Sequence, residues 1–376
     1  VTPAKVDLEV QAVMPRRGEL AAGAMAVLVL AAVVAVPGGR AAAEAELPGL
    51  EWFTVVDPEG RVICQTGFVL DVGDQYIDQD NRVWRIERVI TAERKAVARL
   101  EGTLDMSRAV EDFQAGLAAL PLAQGAARRI GIYHTHSDES YAPSDGTHSN
   151  PAGRGGVYKV GAELAKSLEK AGFTVTHSQT NHLPHDAGAY ERSRRTAMQL
   201  AQGAVAVFDV HRDAAPPEAY RGRVDGREIT QVMLVVGRAN PQAEANMSFA
   251  QAIKAAADRR MPGLIRGILR TGGKFNQDLS SRALLLEVGA HMNRREDAEE
   301  AVAMLGSIIP EVIGAGGGGT AGPAVLRAIG LILLVAVGGG LLWLYVAVGG
   351  DWRRAWDKLK NLGEEFATYL GRRGRR

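Results

Sequence analysis

The sequence predicts an α/β domain on a mostly parallel sheet with helices on both faces, preceded by a small antiparallel β module and flanked by membrane segments. Three observations predict it. Apolar runs of strand length alternate with segments of helical period through the middle of the chain, turn-punctuated strand patterns precede them, and two long uncharged stretches bracket both regions.

Residues 1–45 read as a leader. Its uncharged stretch lies between Glu19 and Arg40, follows Arg16 and Arg17, and precedes Ala41, Ala42 and Ala43, the pattern of a signal peptide or an N-terminal anchor. Val1 opens the written chain, an acidic segment precedes Met14, and Met14 is the expected start of translation. Residues 46–104 predict the β module, with strands over 52–56, 62–64, 67–70, 83–90 and 96–100 and turns at Asp57-Pro58-Glu59-Gly60 and Asp80-Asn81. Its acidic residues Asp71, Asp74, Asp78 and Asp80 lack the glycine and closing glutamate of a calcium loop, so they read as solvated turn carboxylates.

Residues 105–127 read as a linker carrying a short helix. The main domain spans 128–313, with strands expected over 130–133, 173–176, 204–210, 230–236 and 283–288 and helices over 157–168, 190–202, 243–260 and 294–309. A Gly-rich spacer (314–327) leads to an uncharged segment (328–350) with Trp343 and Tyr345 near one end, long enough to cross a bilayer. The tail (351–376) carries Arg353, Arg354, Lys358, Lys360, Arg372, Arg373, Arg375 and Arg376, so the positive-inside rule puts it in the cytoplasm and everything between the apolar segments outside the membrane.

The 376 residues carry 44 Lys and Arg against 43 Asp and Glu, a formal charge of +1, which gives no footprint for nucleic-acid binding. Cys64 is the only cysteine, so an intrachain disulfide and a thiolate-rich metal cluster are both excluded. A zinc site in this chain must use imidazole and carboxylate ligands.

Three clusters offer such ligands. His134-Thr135-His136-Ser137-Asp138-Glu139, Val210-His211-Arg212-Asp213 and Leu284-Leu285-Leu286-Glu287 each end an apolar run, so folding can bring them to one sheet edge. Side chains two apart on an extended segment share a face, so His134 and His136 are expected to point the same way, with Glu139 returning after a turn. His136 and Glu139 then supply two ligands from one loop, and His211 is the natural third, leaving one position for water. Arg212 and Asp213 are candidates for an outer shell that orients ligands or substrate, and His134 is a candidate additional ligand. Glu287 is a carboxylate inside an apolar run, a costly placement unless it has a partner or a task. As a non-ligand it can take a proton from water and return it to a leaving amine, which describes amide hydrolysis. His148, His177, His182, His185 and His291 lie in loops or away from strand ends; of these His185, beside Asp186, remains a candidate substrate contact. The bland readings are a structural His-x-His, a surface ion-pair cluster around His211 and a Glu287 paired with an arginine.

Tyr133-His134-Thr135-His136-Ser137-Asp138-Glu139-Ser140-Tyr141, Val160-Gly161, Asp209-Val210-His211-Arg212-Asp213, Val236-Gly237, Asn276-Gln277-Asp278-Leu279 and Leu285-Leu286-Glu287-Val288-Gly289 together resemble the stage II sporulation protein P family. That family is similar to zinc N-acetylmuramoyl-L-alanine amidases, whose first strand ends in Asp-Pro-Gly-His. The resemblance implies a zinc amidase-like sheet, puts His136 rather than His134 at the first ligand position, and matches His211 to the second histidine and Glu287 to the catalytic glutamate. It also carries Asn276 and Gln277 over as substrate-binding candidates. One departure stands out: the amidases place a glutamate ligand near the start of the following helix, where this sequence has residues 153–157, so Glu139 is the substitute. The implied function is zinc-dependent cleavage of peptidoglycan, between N-acetylmuramic acid and L-alanine and at peptide cross-links, during forespore engulfment beside stage II sporulation proteins D and M. Two alternatives remain: a zinc carboxypeptidase-like peptidase using Arg212, Arg238 or Arg282 for a terminal carboxylate, and a non-catalytic wall-binding scaffold.

Overall fold

The computed structural model describes residues 47, 49–118, 128–314, 342, 345–356 and 358. The leader, residues 315–327 of the Gly-rich spacer, residues 328–341, 343 and 344 of the second expected membrane segment and most of the basic tail lie outside them. Among the described residues no helix is long and apolar enough to cross a membrane.

Five strands come first: β1 (Phe53–Val56), β2 (Val62–Thr66), β3 (Gln75–Ile77), β4 (Arg82–Ile90) and β5 (Lys95–Thr103). Helix α1 (Ala109–Ala118) follows, then β6 (Arg129–Tyr133), the short α2 (Ala142–Asp145), α3 (Val157–Lys170), β7 (Thr174–His177), α4 (Ala189–Ala201) and β8 (Ala204–Asp213). A hairpin of β9 (Arg221–Val224) and β10 (Arg227–Thr230) precedes β11 (Val232–Gly237), α5 (Ala243–Arg260), β12 (Ile265–Thr271), β13 (Ala283–Ala290) and α6 (Arg295–Ile313).

Eleven strands form one sheet in the order β2-β1-β5-β4-β3-β12-β11-β13-β8-β6-β7. Of the main domain's strands in this sheet, β7, β6, β8 and β13 run parallel, β11 and β12 are parallel to each other, and the β11–β13 ladder is antiparallel. The β module is not a separate sheet: β3 pairs antiparallel with β12, and β1 runs parallel to β5 where antiparallel pairing was expected.

Alternation along the central strands divides two cores. Ile130, Ile132, Phe208, Val210, Leu234, Leu284 and Leu286 pack with α3, α5 and α6 on one face. On the other, Met233, Val235 and Leu285 join Phe53, Val55, Trp84 and Ile86 of the β module, while α4 covers Tyr133 and Val207. Helices therefore cover both faces unequally, and the curled end of the sheet does much of the covering on the second. That curl is required by distance: β2 and β8 are eight ladder steps apart, roughly 38 Å in a flat sheet, yet Gly67, just after β2, donates its N–H to the Asp213 carboxylate at 2.6 Å.

Two differences from the sequence expectation have clear causes. Residues 67–70 bend instead of extending, because Gly67 closes on Ala214 and Asp213; a Cβ there would sit 2.8 Å from the Ala214 Cβ. Strand β12 was not expected, since Arg266 and Arg270 interrupt its apolar run. Arg266 is buried nonetheless, stacked 4.3 Å above the Tyr220 ring and hydrogen-bonded to the Gln65 carbonyl.

Candidate metal centre

Because β6, β8 and β13 are parallel, their C-terminal ends share one edge of the sheet. Register does the rest: Tyr133 of β6 pairs with Asp209 of β8, and Glu287 of β13 pairs with His211 of β8. Asp209, His211 and Glu287 thereby lie on the face covered by α4 and the β module, opposite Val210 and Leu286. Glu287 is 1% exposed on the strand next to His211, so its carboxylate belongs to this buried edge.

Strand β6 stops at Tyr133, and the chain then bends. Asp209 fixes the bend by accepting the Thr135 N–H at 2.8 Å and its hydroxyl at 2.6 Å. The expectation that His134 and His136 point the same way is therefore corrected: alternation governs only extended backbone. His134 turns toward α3, with Nδ1 donating to the Val210 carbonyl at 2.8 Å and Nε2 lying 2.8 Å from His177 Nε2. His136 goes to the other side, its ring 5.0 Å from His211 and 5.4 Å from Tyr190.

Glu139 sits between the histidines. Its Oε1 lies 3.3 Å from His136 Nδ1 and its Oε2 lies 3.5 Å from His211 Nδ1, with all three side chains at most 3% exposed. The Arg212 backbone donates to Oε2 at 3.0 Å, and the Arg212 guanidinium stands 3.9 Å from Oε1. The loop carrying Glu139 rests on the start of α3: the Val157 N–H donates to the Glu139 carbonyl, and Gly155 comes so near that a Cβ would lie 2.0 Å from that oxygen. The backbone of Glu139 thus lies against the first turn of α3.

Burial pushes the Glu139 carboxyl upward, but the His211 and Arg212 charges and the close His136 ring hold it well below the usual carboxylate range. Burial disfavours a charged His211, yet Asp209 and Glu139 raise it well above the ordinary imidazole value. Asp209 Oδ1 is 2.9 Å from His211 Nε2, and His211 Nδ1 is on the Glu139 side. Buried Glu139 Oε1 and both His211 ring nitrogens make no hydrogen bond. Two imidazoles and a carboxylate turned inward with such atoms fit a borderline divalent metal ion.

His185 joins this cluster from the loop between β7 and α4. Among the described residues, ligand atoms of His136, Glu139 and His185 lie within 4.8 Å of one another, and the His185 ring stacks on His136 at 3.9 Å. In the sequence His185 lies in a loop away from the strand ends and is expected only as a substrate contact, beside Asp186. Asp209 was missed as well, although its place two residues before His211 on a strand was the available signal.

Other candidates are used elsewhere. Asp213 is buried away from the histidines, accepting from Gly67, Ala214 and the Tyr220 hydroxyl, and burial raises its pKa. Asn276 donates to the Tyr190 carbonyl and Ser193, and Gln277 bridges the Gly237 N–H and the Val235 carbonyl at the end of β11, so both amides brace internal backbone. Arg238 is paired with Asp74, and Arg282 donates to the Val205 carbonyl at the start of β13, roughly 16 Å along the strand from Glu287.

Residues 80–310 match the family Stage II sporulation protein P (SpoIIP), more than half of the chain, and the chain belongs to that family. Stage II sporulation protein P of Bacillus subtilis (strain 168) is 28% identical over 202 residues, which cover 49% of this chain and 50% of the relative. The chain thus spans about half the length of the curated relative it matches. A solved structure of the CwlD amidase from Clostridioides difficile, in complex with the GerS lipoprotein, is similar over 50% of this chain and 98% of that one, at 10% identity and a TM-score of 0.34. A likeness that distant carries no argument about activity.

Proposed function

We propose that this chain is a sporulation-linked cell-wall hydrolase that cleaves the amide between N-acetylmuramic acid and L-alanine, and secondarily peptide cross-links, with zinc held by His136, Glu139 and His211. The observation that carries the reading is the buried Glu139 carboxylate spanning His136 and His211 at 3.3 and 3.5 Å, one strand away from the buried Glu287. Family membership supplies the wall and sporulation context. Zinc in such a site polarises a carbonyl and acidifies water.

The residues' own roles follow from their places. Asp209 holds the His211 ring so that Nδ1 faces inward, and Arg212 fixes Glu139 through its backbone N–H. Glu287 takes the proton from the attacking water and passes it to the leaving amine, a role worth about 10²–10⁴ in rate. Arg238 and Arg282 are engaged at other strand ends and Arg212 lies against Glu139, which weighs against a carboxypeptidase's terminal-carboxylate clamp. The reading includes an extracytoplasmic domain held at the membrane by the segments at 19–40 and 328–350, a cytoplasmic basic tail, and work beside stage II sporulation proteins D and M.

The test is digestion of purified sacculi. Glu287→Gln is expected to lose at least about 100-fold in release of stem peptides, a chelator to abolish release, and added zinc to restore it. Clearing by Glu287→Gln at the wild-type rate would refute the assigned base, and release of C-terminal residues alone would favour the carboxypeptidase reading.

A further inference from the structure

Four donor side chains crowd the proposed centre, and one differs from the rest. His136, Glu139 and His211 are at most 3% exposed, on or beside the ends of β6 and β8. His185 is 29% exposed and belongs to the loop before α4.

Its orientation is nevertheless built. Nδ1 lies 3.0 Å from Asp138 Oδ1, and because a carboxylate only accepts, Nδ1 carries the proton, which in the neutral ring leaves the lone pair on Nε2. Asp138 is 4% exposed, and its other oxygen accepts the Ser149 hydroxyl at 2.6 Å, so the carboxylate is itself held. The loop is anchored one turn earlier by His182, whose ring nitrogens lie 2.8 Å from the His134 carbonyl and 2.9 Å from the Thr196 hydroxyl. Arg192 donates to the His182 carbonyl at 2.7 Å. This is the arrangement of a ligating imidazole with a carboxylate behind it, repeated from Asp209 and His211.

Donors about 2 Å from a tetrahedral ion stand roughly 3.3 Å apart. The ligand atoms of His136, Glu139 and His185 already fall within 4.8 Å of one another, at most about 1.5 Å beyond that spacing.

We propose that His185, oriented by Asp138, is a fourth protein donor to the metal centre, an exchangeable one that covers the position water or substrate must take. Four protein donors make a closed site and three make an open one. His185 is the donor able to leave, because its side chain reaches solvent and its departure opens no strand. The resting centre is closed, and substrate entry displaces one imidazole while His136, Glu139 and His211 keep the ion. The inference rests on the metal-centre reading above.

The experiment uses the full chain in detergent, loaded with Zn²⁺ or Co²⁺, and reads zinc affinity by competition with a chromophoric chelator together with the visible cobalt spectrum. His185→Ala is expected to weaken zinc about 10–100-fold, to shift the cobalt bands and to tighten azide binding to the cobalt form; Asp138→Asn should move all three the same way by less. His185→Gln provides a second variant, and melting curves of the metal-free proteins check that each is folded. A folded His185→Ala protein with wild-type zinc affinity and an unchanged cobalt spectrum overturns the fourth donor and leaves the three-ligand centre standing. A wild-type chain that binds neither ion overturns both.

Discussion

His134 and His136 are two residues apart and end in opposite environments. His134 lies on the α3 side, fully buried, bonded to backbone and to His177. His136 lies on the α4 side among Glu139, His185 and His211. The difference is charge. Among the described residues no carboxylate is hydrogen-bonded or ion-paired to the first pair, and burial drives His134 down to about 3 and His177 to about 4, so both are neutral at physiological pH. On the second side carboxylates stand behind or between the imidazoles, and their charges raise His211 instead of leaving it depressed by burial. A buried histidine pair is therefore not enough to mark a ligand set; the acceptor behind each ring decides.

If that is right, the largest effect comes from removing such an acceptor. Asp209→Asn is expected to weaken zinc binding about 10–100-fold while the protein stays folded, because Asn can still accept from Thr135 but lacks the negative charge that strengthens His211 as a ligand. Chelator competition measures it, and wild-type affinity would erase the distinction between the two sides.

A smaller effect is expected from crowding the other side. Gly161 of α3 faces the neutral pair so closely that a Cβ would lie 2.6 Å from the His134 ring and 2.8 Å from His177 Nε2. Gly161→Val should destabilise the metal-free protein by about 1–3 kcal/mol through overpacking while zinc affinity changes less than about twofold. A larger fall in affinity would mean that His134 supports the metal side after all.

Much of this contrast was legible in the sequence and some was not. Apolar runs ending in His211 and Glu287 announce strands with chemistry at their tips, and parallel alternation with helices gives the shared edge. The division of His134 from His136 was hidden because it depends on where β6 ends, which an Asp209 contact 74 residues away decides. Strand β12 was hidden by Arg266, whose burial depends on Tyr220 and Gln65. His185 was hidden for the opposite reason: nothing local constrains a loop, and its position comes from Asp138 and the His182 anchor. Local pattern reports elements; long-range hydrogen bonds decide which way their ends turn.

The smallest expected effect is a pH slope, and it tests the neutral side alone. In the unfolded chain His177 titrates near 6.5, whereas burial depresses it to about 4 in the folded protein. Above roughly pH 6.5 neither state is protonated and the group contributes nothing to the slope. As pH falls from there toward 4, the unfolded chain takes up a proton that the folded chain refuses, so stability is lost across that window and levels off below it. His134, depressed to about 3 by burial and by His177, adds loss in the same direction. Many other groups titrate between pH 7 and pH 5, but they do so in wild type and in His177→Gln alike. Urea midpoints at the two pH values should therefore show the metal-free wild type losing more stability than the variant, by on the order of 1 kcal/mol. Equal losses would mean that the His134–His177 pair carries charge when folded, and that an imidazole without a carboxylate behind it is not what separates the two sides.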